Sequence, residues 1–416
     1  MNPARLALTC GSTRLSSGDL ASRVASWADR QVVDGRIVPL RSDDVPWLVV
    51  SALAVRERGG IPAVGDARWS DEHWDDLSRS VSGQTVPRGA AWATFSSGST
   101  GSPRVVLRSA ASWSASFDAV TRLMELTPED VVLLPSPLVS SLSMFSIAHL
   151  DTVGATALLP AGGSPSAREC GEATVLHGTP GALEGVLDLL DAGAPTRLRL
   201  ALIGGAHLDA ALRARAETAG IRVVSYYGAA ELSFVAVDRD GSGLRAFDGV
   251  ELRVTDGELW SRSPFAAMGY LAGGAGSFVT DAAGWSSVGD LADLRDDGIL
   301  SLRGRRDGAI LSAAATVVPE DVEVVLRTLD GVKDSVVFGA PHPRLGALVC
   351  AVIEPDDPGN PPTVASLRAA CRARLGIAQV PRRWYFAGEL PVTPTGKPAR
   401  AAIARDALAG RMPRLA

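Results

Sequence analysis

Lysine is almost missing from this chain. Lysine and arginine together number 41, yet only two are lysine, Lys333 and Lys397. Positive charge is carried nearly everywhere by guanidinium groups, so each ammonium position asks for a reason. Cysteine is scarce too: Cys10, Cys170, Cys350 and Cys371 lie far apart, with no Cys-x-x-Cys pair and no zinc spacing. That excludes a disulfide framework and predicts reduced core thiols in a cytoplasmic protein. The histidines, His73, His149, His177, His207 and His342, are equally scattered and form no metal-ligand pattern. Aromatics make up only 5% of the residues, too few to reveal the shape of an apolar ligand. A net charge of −5 supplies no footprint for nucleic acid or an anionic membrane. No segment reaches the ~18 consecutive apolar residues of a membrane helix; the run PWLVVSALAV at 46–55 reads as a buried core segment. The opening MNPARLALTCGS lacks a basic stretch followed by a long apolar core, so no secretion signal is expected.

What is present is an ordinary globular composition, 46% hydrophobic and 21% charged over 416 residues, enough for two or three domains. In the middle of the chain, strand-like and helix-like runs alternate. DVVLLPSP (130–137), ATALLPA (155–161) and RLRLALIGG (197–205) read as strands, LDAALRARAETAG (208–220) as a helix, and IRVVSYYG (221–228) as a strand. Short connections between them imply parallel sheet built from βαβ units. Ligands in such sheets sit beyond the carboxyl ends of strands, which marks LIGGAH and YYGAAE as site loops. After about residue 240, short strands with Gly and Asp clusters follow, and TDGE and DDGI carry hairpin chemistry. From about Val317 the pattern returns to mixed α/β over about a hundred residues, the size of a small domain. The boundary is placed at GRRDG (304–308), and no internal repeats are evident.

The strongest single stretch is TFSSGSTGSPR (94–104). A loop rich in Ser, Thr and Gly wraps backbone N–H groups and hydroxyls around phosphate oxygens, and glycine permits close approach. It is not a Walker A loop, which requires Gly-Lys-Ser/Thr. It sits between the apolar AAWATF and the β-like RVVLRS, an unusual place for a mere linker.

Five stretches, in this order, resemble the adenylate-forming superfamily of acyl-CoA synthetases, peptide-synthetase adenylation domains and luciferases. They are SSGSTGSPRV, YGAAE (227–231), GELWSRSPFAAMGYL, the trio Asp290, Arg305 and Asp307, and TPTGKPAR. The likeness covers nearly the whole chain and is strongest to short actinobacterial acyl-CoA ligases and o-succinylbenzoate–CoA ligase-like enzymes. It implies an α/β fold: a large N-terminal domain (1–305) of parallel sheets with flanking helices and a β-rich subdomain, and a small α+β lid domain (306–416). It implies ATP, Mg²⁺ and coenzyme A as cofactors, a small-molecule carboxylic acid as substrate, and CoA or a carrier protein as acceptor. On this resemblance Ser97, Gly98, Ser99, Thr100 and Gly101, with Arg104, hold the phosphates. Gly204, Gly205 and Ala206 floor the adenine, with Tyr227 stacking on it and Gly228 beside it. Asp290 takes the ribose hydroxyls, Arg305 supports ribose or phosphate, Glu231 binds Mg²⁺, and Asp307 is the hinge. Ser140 and Ser143, in the segment 140–147, line the acyl pocket with His177 and Gly178 of the HGTP loop. Lys397 reaches in from the lid to the α-phosphate and the carboxylate. An ammonium is a compact charge on a flexible stem that bridges oxygens of two groups; a guanidinium is a wide fork suited to gripping one.

The chain departs from the family at several positions. Arg104 stands for lysine and Val105 for glycine. Ala230 stands for threonine, a hydrogen bond to charge worth ~1.5–3 kcal/mol. Ser140 replaces a frequent histidine, and Ala313–Ala314 replace Gly-Gly in the loop that lines the pantetheine tunnel. The expected activity is ATP-dependent formation of an acyl-AMP with release of pyrophosphate, then acyl transfer to CoA. The alternatives are transfer to another nucleophile, or a nucleotide-binding scaffold without turnover.

Overall fold

The computed structural model describes residues 2–27, 35–96, 104–271, 277–305, 308, 310–312, 315–342, 346–375, 379–393 and 396–415. Its centre is a nine-stranded sheet. The strands Leu200–Ile203, Val175–Gly178, Val131–Leu133 and Thr156–Leu159 are entirely buried or nearly so. They pair parallel with their neighbours, as continuous apolar runs in a doubly covered sheet do. Arg222–Ala229 pairs parallel with Leu200–Ile203 on one side and antiparallel with Ser233–Asp238 on the other, so the carboxyl-end loops meet at this change of direction.

Beside it lies a five-stranded sheet in the order Gly269–Tyr270, Arg104–Ser109, Ala90–Ser96, Ile61–Val64, Ile37–Leu40. The apolar run at 46–55 belongs to the helix Val45–Glu57, started by Asp44, whose side chain accepts from Trp47 N, and by a proline in the first turn. Seven of its residues are buried against the core. A third sheet carries the two expected hairpins. In TDGE, Asp256 (φ 52°) and Gly257 (φ 75°) make the two-residue turn joining Glu251–Thr255 to Glu258–Arg262, a geometry that needs positive φ at both positions. The DDGI turn joins Asp290–Leu294 to Leu300–Arg305.

The C-terminal part has its own sheet, with Val332–His342 and Gly346–Pro355 as its long antiparallel pair. The helices Pro319–Arg327, Val364–Arg374 and Arg400–Leu408 accompany it. Two apolar clusters, one around Val337, Val349 and Leu367 and one around Val336, Tyr385 and Ile403, draw only on residues from Ile310 onward. All four cysteines are buried and none is in a disulfide. Among the described residues no helix is long and apolar enough to cross a membrane.

The stretch 130–137 is strand only over Val131–Leu133. Pro135 and Pro137 lack the N–H that a longer ladder needs.

Candidate active site

Two loops at strand ends form the floor of the site. Gly204 N donates to Gly178 O at 3.0 Å, tying the ends of the two buried strands together. Gly204 has no room for a side chain, because a β-carbon there would overlap Cζ of Tyr226. Gly205 has φ 85°, a conformation costly for any other residue. Ala206 follows, exposed. At the neighbouring strand end, Thr179 caps the helix Pro180–Asp191 by accepting from Ala182 N.

The C-terminal part approaches this floor. A β-carbon on Gly205 would lie 4.0 Å from Cε of Lys397 and 3.6 Å from Cγ2 of Thr179, and one on Gly396 would lie 3.7 Å from Oγ1 of Thr179. Lys397 is tied to Thr393 on both sides of its peptide unit. Thr393 N donates to Lys397 O at 2.6 Å, Lys397 N donates to Thr393 Oγ1 at 3.2 Å, and Gly396 takes φ 79°. Lys397 and the Gly204–Gly205 floor, 192 residues apart in sequence between Gly205 and Lys397, are therefore neighbours.

Tyr227 and Asp290 meet as well. A bulge between Tyr227 and Gly228 offsets the strand pair, and Gly228 fits only as glycine because a β-carbon would overlap Ser233 O. The Tyr227 hydroxyl donates to Asp290 Oδ2. Asp290 is the register partner of Arg305 across the Asp290–Leu294 hairpin, so the two-stranded return does bring these positions together; Arg305 is described by its backbone alone. Glu320, in the helix Pro319–Arg327, packs where a β-carbon on Gly304 would stand, and burial pushes its carboxyl up, with Asp290 adding to the rise.

Glu231 is 7% exposed, and its Oε1 accepts from the Tyr270 hydroxyl at 2.8 Å. Burial and the Glu231 carboxylate push the Tyr270 phenol up to about 12, and the Arg104 guanidinium lies 5.8 Å from the Tyr270 ring centroid. Behind this group stands Arg108, fully buried. Its Nε donates to Ala230 O at 2.9 Å and its Nη1 to Phe265 O at 2.8 Å and Ser112 Oγ at 3.0 Å. Burial pulls its guanidinium down to about 9, against the pull of Glu231.

Of the expected acyl-pocket residues, Ser143, His177 and Gly178 are buried and Ser140 is half-buried. Ser140 caps the helix Ser141–Val153. The Ser143 hydroxyl donates to Ser136 O at 2.7 Å. His177 is buried with Nδ1 2.8 Å from Ser146 Oγ and Nε2 3.1 Å from the Tyr226 hydroxyl; burial lowers its pKa to about 3. Gly178 is enclosed by Pro135, Leu176 and Ala182.

Ser97, Gly98, Ser99, Thr100 and Gly101 lie outside the described residues, as do Asp307, Ala313 and Ala314. The strands flanking the serine-rich stretch pair antiparallel, with Ser96 opposite Arg104. Thr179 belongs to the HGTP loop expected to line the acyl pocket and Tyr226 to the YYGAAE loop, whereas sequence reasoning assigned no role to Arg108, Tyr270 or Glu320. Of these last three only Tyr270 carried a signal, through the Gly-Tyr of the third motif.

The family model described as AMP-binding enzyme matches residues 70–271, and that of the AMP-binding enzyme C-terminal domain matches residues 321–397. The chain belongs to the AMP-binding enzymes. Within that family it is 28% identical over 333 residues to an uncharacterized acyl-CoA ligase, YhfT, of Bacillus subtilis, covering 74% of this chain and 67% of the relative. It is 37% identical over 207 residues to a probable 2-succinylbenzoate–CoA ligase of Mycobacterium tuberculosis, covering 49% of this chain and 53% of the relative. The chain spans between 12% and 67% of the length of four curated relatives that it matches. The fold is that of the o-succinylbenzoate CoA synthetase of Bacillus subtilis. The structure of that protein with its acyl-adenylate intermediate superposes with a TM-score of 0.82 at 21% identity, over 97% of this chain and 96% of that one. Its complex with ATP and a magnesium ion gives 0.81 at 20% identity, over 96% of each chain.

Proposed function

We propose that this AMP-binding enzyme is an acyl-CoA ligase that first joins a carboxylic acid to AMP. The observation that carries this reading is the position of Lys397 above Gly205 and Thr179. Bringing a carboxylate up to a triphosphate sets two anions together, and a compact cation at the meeting point offsets the repulsion. A carboxylate oxygen attacks the α-phosphorus, the bond to the bridging oxygen of the β-phosphate breaks, and pyrophosphate leaves with that electron pair. Lys397 lies between the two reactants, Asp290, held by the Tyr227 hydroxyl, takes the ribose hydroxyls, Arg305 supports ribose or phosphate, and Gly204–Ala206 support the adenine with the Tyr227 ring stacked on it. Ser97–Gly101 and Arg104 hold the outgoing phosphates.

Glu231 suits a magnesium ion. It is a hard oxygen donor with Oε1 held by Tyr270, and magnesium is commonly bound by one or two carboxylates with the rest of its shell from phosphate and water. Among the described residues no cluster of three or more acidic, His or Cys side chains would hold a metal by itself, in keeping with a site completed by nucleotide. When bound, the ion would supply charge neutralisation to the phosphates.

In the second half-reaction a thiol sulfur attacks the acyl carbon and AMP departs. The division into 1–305 and a lid from 306, turning at Asp307, gives each half-reaction its own lid position. Sequence relatives named as CoA ligases support CoA as acceptor. A carrier-protein thiol or another nucleophile is the second reading, favoured by Ala313–Ala314 in place of a Gly-Gly pair. Acid-dependent ATP–pyrophosphate exchange across short, long and aryl acids tests the first step. Mass detection of an acyl-CoA after CoA is added tests the second, and exchange without thioester would reassign the acceptor.

A further inference from the structure

We propose that Lys333 and Glu354 are positioning residues for Lys397: their ion pair fixes one leg of the hairpin that carries the Lys397 ammonium. This rests on the adenylating reading above. The legs are residues 390–393 and 397–400. Ala399 N donates to Pro391 O at 2.7 Å, Val392 is bridged to Pro398, and Thr393 N donates to Lys397 O. Lys397 is therefore placed by whatever holds the bases of these legs. One base is Arg400, whose Nη2 donates to Glu323 Oε2 at 2.9 Å and whose Nη1 donates to Val337 O at 2.8 Å. The other is Leu390, buried, whose N donates to Glu354 Oε2 at 2.8 Å. Glu354 is only 6% exposed, and its second oxygen, Oε1, accepts from Lys333 Nζ at 2.8 Å.

The Glu354 anchor is separable from the surrounding fold. Glu323 also accepts from Val337 N at 2.6 Å and so belongs to the core of the C-terminal sheet. Among the described residues the Glu354 carboxylate bonds only to Leu390 and Lys333. The pairing of Val332–His342 with Gly346–Pro355 is irregular between Val332 and Asp334. Lys333 is thus the extra residue of a bulge, a device that re-aims a side chain, and here it turns the ammonium onto Glu354. The Lys333 side chain is 60% exposed, so the pair adds little stability; its effect is to keep a buried carboxylate charged and aimed at Leu390. Lysine suits this place and arginine does not. An ammonium binds Oε1 and leaves Oε2 to Leu390 N, whereas a guanidinium fork grips both oxygens of a carboxylate and would draw Oε2 away. In a chain whose cations are nearly all arginine, both lysines then serve one hairpin.

The test uses the full chain: ATP–pyrophosphate exchange with straight acids from acetate to decanoate and with benzoate, ATP affinity by calorimetry, and amide hydrogen exchange by mass spectrometry. Glu354→Leu removes both bonds. Its exchange turnover should fall about tenfold or more, because displacing a positioned group by about 1 Å costs up to about a hundredfold. ATP affinity should stay within about twofold, and amide protection should be lost at Leu390 but kept in Val332–His342. Glu354→Gln keeps an acceptor for Leu390 N and should retain most of the turnover. Lys333→Arg keeps the charge and should still lose about threefold or more, which a merely electrostatic or stabilising role would not produce. Wild-type turnover in Glu354→Leu or in Lys333→Arg overturns the proposal, as does equal loss in Glu354→Gln and Glu354→Leu. An unprotected Leu390 amide in the wild type overturns it too. If Glu354→Leu does not fold, Lys333→Arg, altered at an exposed side chain, decides alone. No exchange with any acid in the wild type overturns the adenylating reading itself, and this role of Lys333 and Glu354 with it.

Discussion

Replacing Arg108 by methionine exposes how much of the site hangs on one buried cation. Arg108 is 0% exposed and donates to three acceptors on separate segments: Ala230 O, Phe265 O and Ser112 Oγ. Through them it ties the strand that begins at Arg104 to the turn before Glu231 and to the segment that ends in Tyr270. Methionine keeps the apolar stem beside Trp113 and removes every donor. Each hydrogen bond to a charged group is worth ~1.5–3 kcal/mol, and the two carbonyls would be left buried without a partner. Part of this is returned, because a guanidinium is costly to bury and its Nη2 has no hydrogen-bond partner among the described residues. The net expectation is a loss of about 3–5 kcal/mol. Trp113 lies 5.9 Å from the guanidinium carbon, so tryptophan fluorescence during urea unfolding reports on this region. The midpoint should fall clearly in Arg108→Met, and less in Arg108→Lys, which retains a charge. A change under about 0.5 kcal/mol, the scale of an ordinary surface substitution, would refute the reasoning.

Tyr227→Phe removes the hydroxyl that donates to Asp290; the KM for ATP should rise about tenfold, about 1.4 kcal/mol, and an unchanged KM would detach this pair from the ribose. Gly204→Ala drives a methyl into the Tyr226 ring, so it should lower the melting temperature by several degrees, and Gly204→Ala with Tyr226→Ala should recover most of that loss. Burial holds the His177 and His149 pKa values down to about 3 and about 4. The unfolded chain binds protons at an ordinary histidine pKa of ~6.5, so stability is intact above that pH and falls below it, by ~2 kcal/mol per histidine at pH 5. Urea midpoints measured from pH 7.5 to 5 should drop accordingly, and less in His177→Gln.

Much of the arrangement was legible in the chain. The alternating runs at 197–228 become two parallel strands about a helix because continuous apolar runs need cover on both faces. The pairing of Asp290 with Arg305 followed from a single Gly-containing turn between them. The two adjacent tyrosines were separated only by the resemblance, which singled out Tyr227, and not by the local pattern. Strand alternation sends neighbours to opposite faces, so Tyr226 lodges among Phe234 and His177 while Tyr227 reaches Asp290. Which of the two faces inward is decided by the sheet's packing, not by local sequence. Arg108 was hidden for another reason. In a chain whose cations are nearly all arginine, one more in RVVLRS gives no signal, and its burial arises from partners 122 and 157 residues away. Glu320 meets Gly304 through packing between separate elements, which no local pattern records.

The most direct measurement is acid-dependent ATP–pyrophosphate exchange in Lys397→Ala, alongside ATP binding by calorimetry. The account predicts that exchange falls about a hundredfold or more while ATP still binds within a few-fold of the wild-type affinity. Exchange at the wild-type rate in that variant would contradict it.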